Sequence, residues 1–390
     1  MYALSPEIAE FCRAAHAGSF RSAPLLALDE SRVMLAETLP PVPDQSFSAT
    51  CTAHAVAALV AYAENPQSPP RLSAQFLFDM AKRAEAAWVA RNLESIKCGF
   101  DPDAEFMLTY RRPYEQLKML VSRNGGPRSE ASAGFIAQFE EQLRGQTGES
   151  RGSMIHRCFD VVRERGICRE ELRPNASVQR VSLAGRTGVA EMPRAVLEDA
   201  RLHRVAKGLR VFEHPNSVNE IRSVLAGARN LRPMPVCVAV DVFEGCPDGE
   251  FAFPEVLEGD GTASRPLGLH EVLVVGYEDD PARCGGGRFF FRNSWGSGWG
   301  DRGYGTMPYA YLEVFCREAG TILAHRGDVA PGSGGDMVRD GSRACVCGAC
   351  GRRYFGASSL KWACASTGCS ARICFDCWSK GVRSCQKHMA

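Results

Sequence analysis

The chain has 390 residues, 45% hydrophobic and 23% charged, with 46 basic against 45 acidic side chains for a formal charge of +1. That is the composition of a folded soluble protein with room for about two or three domains, and its longest apolar run, Ala55 to Ala63, is too short to cross a bilayer. Glu7, Glu10 and Arg13 interrupt the stretch that a secretory signal would keep apolar, so the expected location is the cytoplasm and no membrane partner is expected.

In chain order, residues 1–35 read as an N-terminal extension. Ala49 to Tyr62 is Ala-rich and apolar nearly all round, the pattern of a buried helix. Leu72 to Ala84 and Ile155 to Glu164 read as amphipathic helices unbroken by Pro or Gly. Between them, residues 86–150 carry polar, Gly-containing stretches near Asn124 to Arg128 and Gly145 to Gly152, which predict a surface insertion. The second half changes character: Val236 to Val242, Glu271 to Tyr277 and Arg288 to Arg292 are short β-branched or aromatic runs bounded by Gly and Pro, the signature of strands. Helices first and strands second predict an α+β domain over residues 36–326. Asp279 and Asp280 are expected in a solvated turn. Residues 327–342 read GDVAPGSGGDMVRDGS, a flexible linker, and residues 343–390 form a last segment.

Chemistry enters at Cys51, at the start of the buried helix. Backbone N–H groups and the positive end of the helix dipole favour a thiolate there, although a cysteine in an Ala-rich helix is by itself a small core residue. A nucleophile needs a base and an oxyanion donor. Gln45, on the loop leading into the helix, could share an oxyanion with the Cys51 N–H. His270 opens the strand HEVLVVGY, and Asn293 follows the next strand, where its amide oxygen could accept from the imidazole and fix the tautomer. His54, one helical turn after Cys51, is expected to be structural.

DQSFSATCTAHA, LSAQFLFDMAKR, RGICREELRPN, PVCVAVDVF, HEVLVVGYEDD and FFFRNSWGSGWGDRGYGTMPYAYL, in this order, resemble the papain-like cysteine peptidases from about Thr38 to about Leu323. The resemblance implies a fold of a helical and a β-barrel lobe with the active site between them. It implies Cys51 as nucleophile, His270 as general base and then acid, Asn293 as orienting residue, Gln45 as oxyanion donor and Trp295 as aromatic shield. Leu269 would line the substrate pocket and favour an apolar side chain, the substrate would be a protein or peptide, and catalysis would need no cofactor. Where the family usually has Cys-Gly-Ser-Cys-Trp, this chain has Ser48-Ala49-Thr50-Cys51-Thr52; the Cys-Thr-Ala start resembles a bacterial branch, and the lost first Cys fits a reducing compartment. A catalytically inactive binding scaffold, or an acyl transferase using the same residues, are the alternative readings.

The cysteines are uneven: nine lie in residues 1–342 and eight in the last 48. Cys347-x2-Cys350, Cys364-x4-Cys369, Cys374-x2-Cys377 and Cys385-x2-His388 are four ligand pairs, the number that two tetrahedral zinc sites need. Alternating pairs would put Cys347, Cys350, Cys374 and Cys377 on one ion and Cys364, Cys369, Cys385 and His388 on the other, leaving Cys345 spare. With KWACASTGC and RICFDCW at its centre, the segment resembles a ZZ-type cross-braced zinc finger, which implies recruitment of a protein or peptide. The segment carries +7 against −6 for the rest of the chain, and zinc-bound thiolates would lower that excess. Nucleic acid is the less favoured partner of such a surface.

Overall fold

The computed structural model describes residues 2–325, apart from 21, 23, 148–151, 176–191, 229, 258–260 and 263, together with four two-residue strands in the C-terminal segment. Residues 2–333 and 334–390 fall in separate compact units.

The first unit begins with β1 (Tyr2–Ala3), α1 (Pro6–His16) and β2 (Arg32–Met34). Ser5 caps α1, its hydroxyl accepting from the Ile8 N–H at 3.3 Å, with Pro6 in the first turn where a missing N–H costs nothing. Residues 1–35 are thus more than an extension: β2 pairs antiparallel with a central strand, Val33 opposite Tyr277. The helix of the Ala-rich run is α2 (Cys51–Glu64), buried at every position from Thr52 to Ala63. Ala gives it high propensity, and Val56, Leu59 and Val60 supply apolar area on several faces. α3 (Ala74–Lys97) starts near the expected place, capped by Ser73 onto Phe76 N–H at 2.9 Å, but runs far beyond Ala84.

That extension changes the reading of residues 86–150. The end of α3, with α4 (Ala104–Thr109), α5 (Arg111–Arg123) and α6 (Glu130–Thr147), closes a small apolar core of its own. Trp88, Phe106, Tyr110, Leu117, Phe139 and Leu143 lie within it. Its polar anchor is Asp103, which accepts from Phe106 N–H at 2.8 Å as an N-cap and from the Trp88 indole at 2.8 Å. The Gly and Ser residues near 124–129 are the turn between two of these helices.

α7 (Ile155–Glu164) falls where its amphipathic pattern predicts it, followed by α8 (Arg194–Leu202), β3 (Leu209–Val211) and α9 (Val218–Leu225). The remaining elements of the unit are β4 (Val236–Phe243), β5 (Gly261–Thr262), β6 (Pro266–Asp279), β7 (Gly287–Arg292), β8 (Tyr304–Pro308), α10 (Tyr309–Phe315) and β9 (Cys316–Ile322). The main sheet is seven-stranded and antiparallel, in the order β3-β9-β4-β6-β7-β8, with β2 added on β6; β1 pairs with β5 apart from it. The central stretches of β4 and β6 are buried on both faces, with α2 and α9 packed on them. Helices and an antiparallel sheet around one large core make the unit α+β.

Asp279 departs from the expected solvated turn. It ends β6, accepts from the Tyr309 hydroxyl at 2.7 Å and pairs with Arg222, whose side chain is only 1% exposed. A fully buried guanidinium needs a carboxylate partner, and Asp279 supplies it. Asp280 does lie in a turn, accepting from Ala282 N–H at 3.0 Å.

In the second unit, β10 (Cys345–Val346) pairs with β11 (Arg353–Tyr354) and β12 (Trp362–Ala363) with β13 (Arg372–Ile373), both antiparallel. Cys347, Cys350, Cys364, Cys369, Cys374, Cys377, Cys385 and His388 lie outside the described residues.

Candidate active site

Cys51 is the first residue of α2, partly exposed at the end of an otherwise buried helix. The loop before it is built from short polar bonds. Ser46, at φ 50, closes a turn in which its N–H donates to Asp44 Oδ1 at 2.7 Å. The Ser48 hydroxyl donates to the Gln45 carbonyl at 2.6 Å, and the Ser48 and Thr50 hydroxyls meet at 2.8 Å. Arg292 holds the approach to this loop, donating from one guanidinium nitrogen to the Pro40 and Pro41 carbonyls at 3.0 and 2.9 Å.

Gln45 is buried and fixed at both ends of its amide. Its Nε2 donates to the Ser48 carbonyl at 2.7 Å, its Oε1 accepts from the Ser294 hydroxyl, and its backbone N–H donates to the Ser294 carbonyl at 2.8 Å. One of the two N–H groups on Nε2 is committed to Ser48, and the second remains available. The loop preceding Cys51 is thereby tied to the segment that follows β7.

That segment carries the next group. Asn293 Oδ1 lies 2.8 Å from His270 Nε2 and also accepts the Ser294 N–H at 2.8 Å, a pair of contacts that makes it an acceptor and places the imidazole proton on Nε2. Nδ1 is left with a lone pair. Trp295 stacks on His270 with ring centroids 4.5 Å apart and 29° between planes, while Phe251 meets the imidazole edge-on at 6.4 Å. Burial pushes the His270 imidazole down to about 4 against the opposing effect of the Asn293 bond, so the ring rests neutral and able to take a proton. Gly303 supports this corner: its carbonyl accepts the Asn293 N–H at 3.0 Å, its φ is 90°, and a Cβ would come within 2.6 Å of Val42.

The structure therefore joins Gln45, His270, Asn293 and Trp295 in one bonded and stacked set. Cys51 stands at the start of α2, which packs against β6, the strand carrying His270. Leu269, immediately before His270, is 47% exposed, and Leu267 is 53% exposed. His54 is buried on α2 and its imidazole is pushed down to about 3, first by burial and then by the Arg292 charge, as a packed structural residue should be.

Two contributors escape the sequence reading. Ser294 clamps Gln45, but a serine between Asn and Trp carries no chemical signal. Glu271 does carry one: it is a lone carboxyl in an otherwise apolar strand run, and it is buried.

Residues 142–314 match the family model of the papain family cysteine proteases. Over that stretch the chain is similar to this family. The matched stretch includes His270, Asn293 and Trp295 and begins after Gln45 and Cys51. An uncharacterised peptidase C1-like protein of Acanthamoeba polyphaga mimivirus is 24% identical over 185 residues, 46% of this chain. That match covers 53% of the relative, so the chain spans about half the length of the curated protein it matches. Among solved structures, the chain is similar to xylellain, a cysteine protease from Xylella fastidiosa, at 18% identity, with 79% of this chain and 92% of that one covered and a TM-score of 0.49. It is also similar to a Carica candamarcensis cysteine protease crystallised with E-64, at 17% identity, with 76% and 100% covered and a TM-score of 0.40.

Proposed function

We propose that the papain-family domain is a cysteine endopeptidase that hydrolyses peptide bonds in a protein or peptide substrate through a Cys51 thioester. The observation that carries this reading is the His270 Nε2 to Asn293 Oδ1 bond of 2.8 Å beneath the stacked Trp295, which holds the imidazole in the tautomer whose Nδ1 can accept a thiol proton. His270 Nδ1 takes the proton from Cys51, and the thiolate attacks the scissile carbonyl carbon. The oxyanion that forms accepts from the Cys51 backbone N–H and from the uncommitted Gln45 N–H. As the C–N bond breaks, His270 returns its proton to the leaving amine. Water then gives a proton to His270, attacks the thioester, and releases the acid and the Cys51 thiol. Leu269, with Leu267 beside it, lines the substrate approach and favours an apolar side chain.

Purified protein treated with an epoxysuccinyl thiol probe and profiled on a peptide library tests this. The reading requires probe on Cys51 and library cleavage, both abolished in Cys51→Ala. Probe scattered over other thiols with no turnover would leave a binding scaffold as the better reading.

The C-terminal segment is, in the same reading, a recognition module on two zinc ions. One ion is held by Cys347, Cys350, Cys374 and Cys377, the other by Cys364, Cys369, Cys385 and His388. Chain order supports it: the first pair falls between the paired strands β10 and β11 and the second between β12 and β13. Elemental analysis should find about two zinc ions per chain; none in protein purified without chelator would sink this part. The nine cysteines from Cys12 to Cys316 are free thiols, which supports a reducing, cytoplasmic setting. Among the described residues no helix is long and apolar enough to cross a membrane.

A further inference from the structure

Glu271 follows His270 directly in β6, and its side chain lies on the other face of that strand, toward α2 and α7. It is 3% exposed, and its Oε1 is a buried oxygen with no hydrogen-bond partner among the described residues. The titratable groups that interact with it electrostatically are Cys51 from α2, Cys158 from α7, Cys237 from β4, and Cys316 and Glu318 from β9. Glu318 and Glu271 both flank Ala239 in the sheet register.

The two carboxyls are bonded differently. Glu318 accepts from the Ile155 N–H at 2.9 Å, the His156 N–H at 3.1 Å and His156 Nδ1 at 2.9 Å. Glu271 has the Thr52 hydroxyl within reach, but that hydroxyl spends its proton on the Ser153 carbonyl at 2.7 Å. A contact between Glu271 and Thr52 must then be made with a proton from Glu271. Thr52 is the residue after Cys51, and Ser153 lies on the loop whose Gly152 packs beside the Ala49 carbonyl.

We propose that Glu271 is a positioning residue for the nucleophile: its carboxyl, bridged by Thr52 to the Ser153 carbonyl, seats the first turn of α2 and the 152–154 loop on the strand that carries His270. The proposal rests on reading Cys51 as the nucleophile. Burial, then the nearby Glu318 charge and Cys51, raise the Glu271 carboxyl well above the usual carboxylate range against the lowering effect of the Thr52 contact, which favours the protonated form that the bridge needs. Rising pH removes that proton, breaks the bridge and places a negative charge beside the nucleophile.

The test is the rate of Cys51 alkylation by iodoacetamide in the full chain, followed at the Cys51 peptide by mass spectrometry from acid to alkaline pH, with thermal melts to verify folding. Glu271→Ala and Thr52→Val should each slow Cys51 by about tenfold through misplacement. Glu271→Gln and Thr52→Ser, which keep a donor and a bridge, should restore most of the rate. The Glu271→Gln profile should part from wild type only above the pH at which Glu271 loses its proton and lie above it there, since an amide cannot ionise. Wild-type rates in Glu271→Ala, or a Glu271→Gln protein as slow as Glu271→Ala across the range, would overturn the positioning role while leaving Cys51 reactive. A wild-type Cys51 no faster than the exposed Cys98 would instead remove the nucleophile, and the positioning role with it.

Discussion

His270 concentrates the residue-scale chemistry in one imidazole, because a buried histidine with an amide acceptor on Nε2 has its remaining lone pair committed to one direction. Asn293→Ala removes that acceptor, and kcat/KM on a peptide should fall by about 10²-fold or more, with kcat carrying the loss. An unchanged kcat would show that Trp295 stacking alone orients the ring. Gln45→Ala should cost about 10²- to 10³-fold in kcat if its free N–H holds the oxyanion, whereas a pure rise in KM would mean that Gln45 only shapes the loop. These residues could be proposed from the sequence because each is a residue type with a distinct chemistry at an element end. Glu271 could not be placed that way: nothing in HEVLVVGY says that the carboxyl would be sealed under α2 rather than turned to water.

At the scale of elements, α2 and the strands were legible because Ala-rich and β-branched runs decide their own conformation and the sheet needs both faces covered. The 86–150 region was not, since its apolar residues are spread thinly among charges and become a core only when four helices meet. Phe106, fully buried at the centre of that core, makes the point testable. Phe106→Ala should destabilise by about 3–5 kcal/mol in urea unfolding, and a change near zero would mean the small core is decorative. The junction of this region with the sheet is His156, whose Nδ1 lies 2.9 Å from Glu318 and Nε2 3.2 Å from Glu105. Its imidazole is raised to about 9: burial works against the charge, but the hydrogen bonds to Glu105 and Glu318 outweigh it. A raised histidine contributes stability that is complete below its unfolded value of about 6.5 and is lost as pH rises through the folded value. Melting temperature should therefore decline from neutral toward pH 9 in wild type and less steeply in His156→Gln; parallel curves would contradict the ion pairs. His270 and His54, pushed down to about 4 and about 3, act in the opposite window, and stability falls as pH drops below about 6.5 toward those values.

On the scale of the whole molecule, the sequence shows where composition divides more clearly than how the two parts are built. Sorting the cysteines by position assigned eight to a short basic segment and left a scatter of thiols, of which Cys51 is set apart by its place at a helix start. If the C-terminal segment is the proposed zinc module, a chain ending before residue 343 should keep its peptide turnover, bind no zinc and lose cleavage of the protein substrates that the module would recruit. Equal cleavage of peptides and proteins by both forms would deny the module that role. The central claim is the Cys51 thioester, and its most direct test is to quench the enzyme in acid during turnover of an activated peptide ester and to locate the trapped acyl group by mass mapping. The account predicts an acyl group on Cys51 alone. Its absence from Cys51 while hydrolysis continues, or equal turnover by Cys51→Ser, would contradict it.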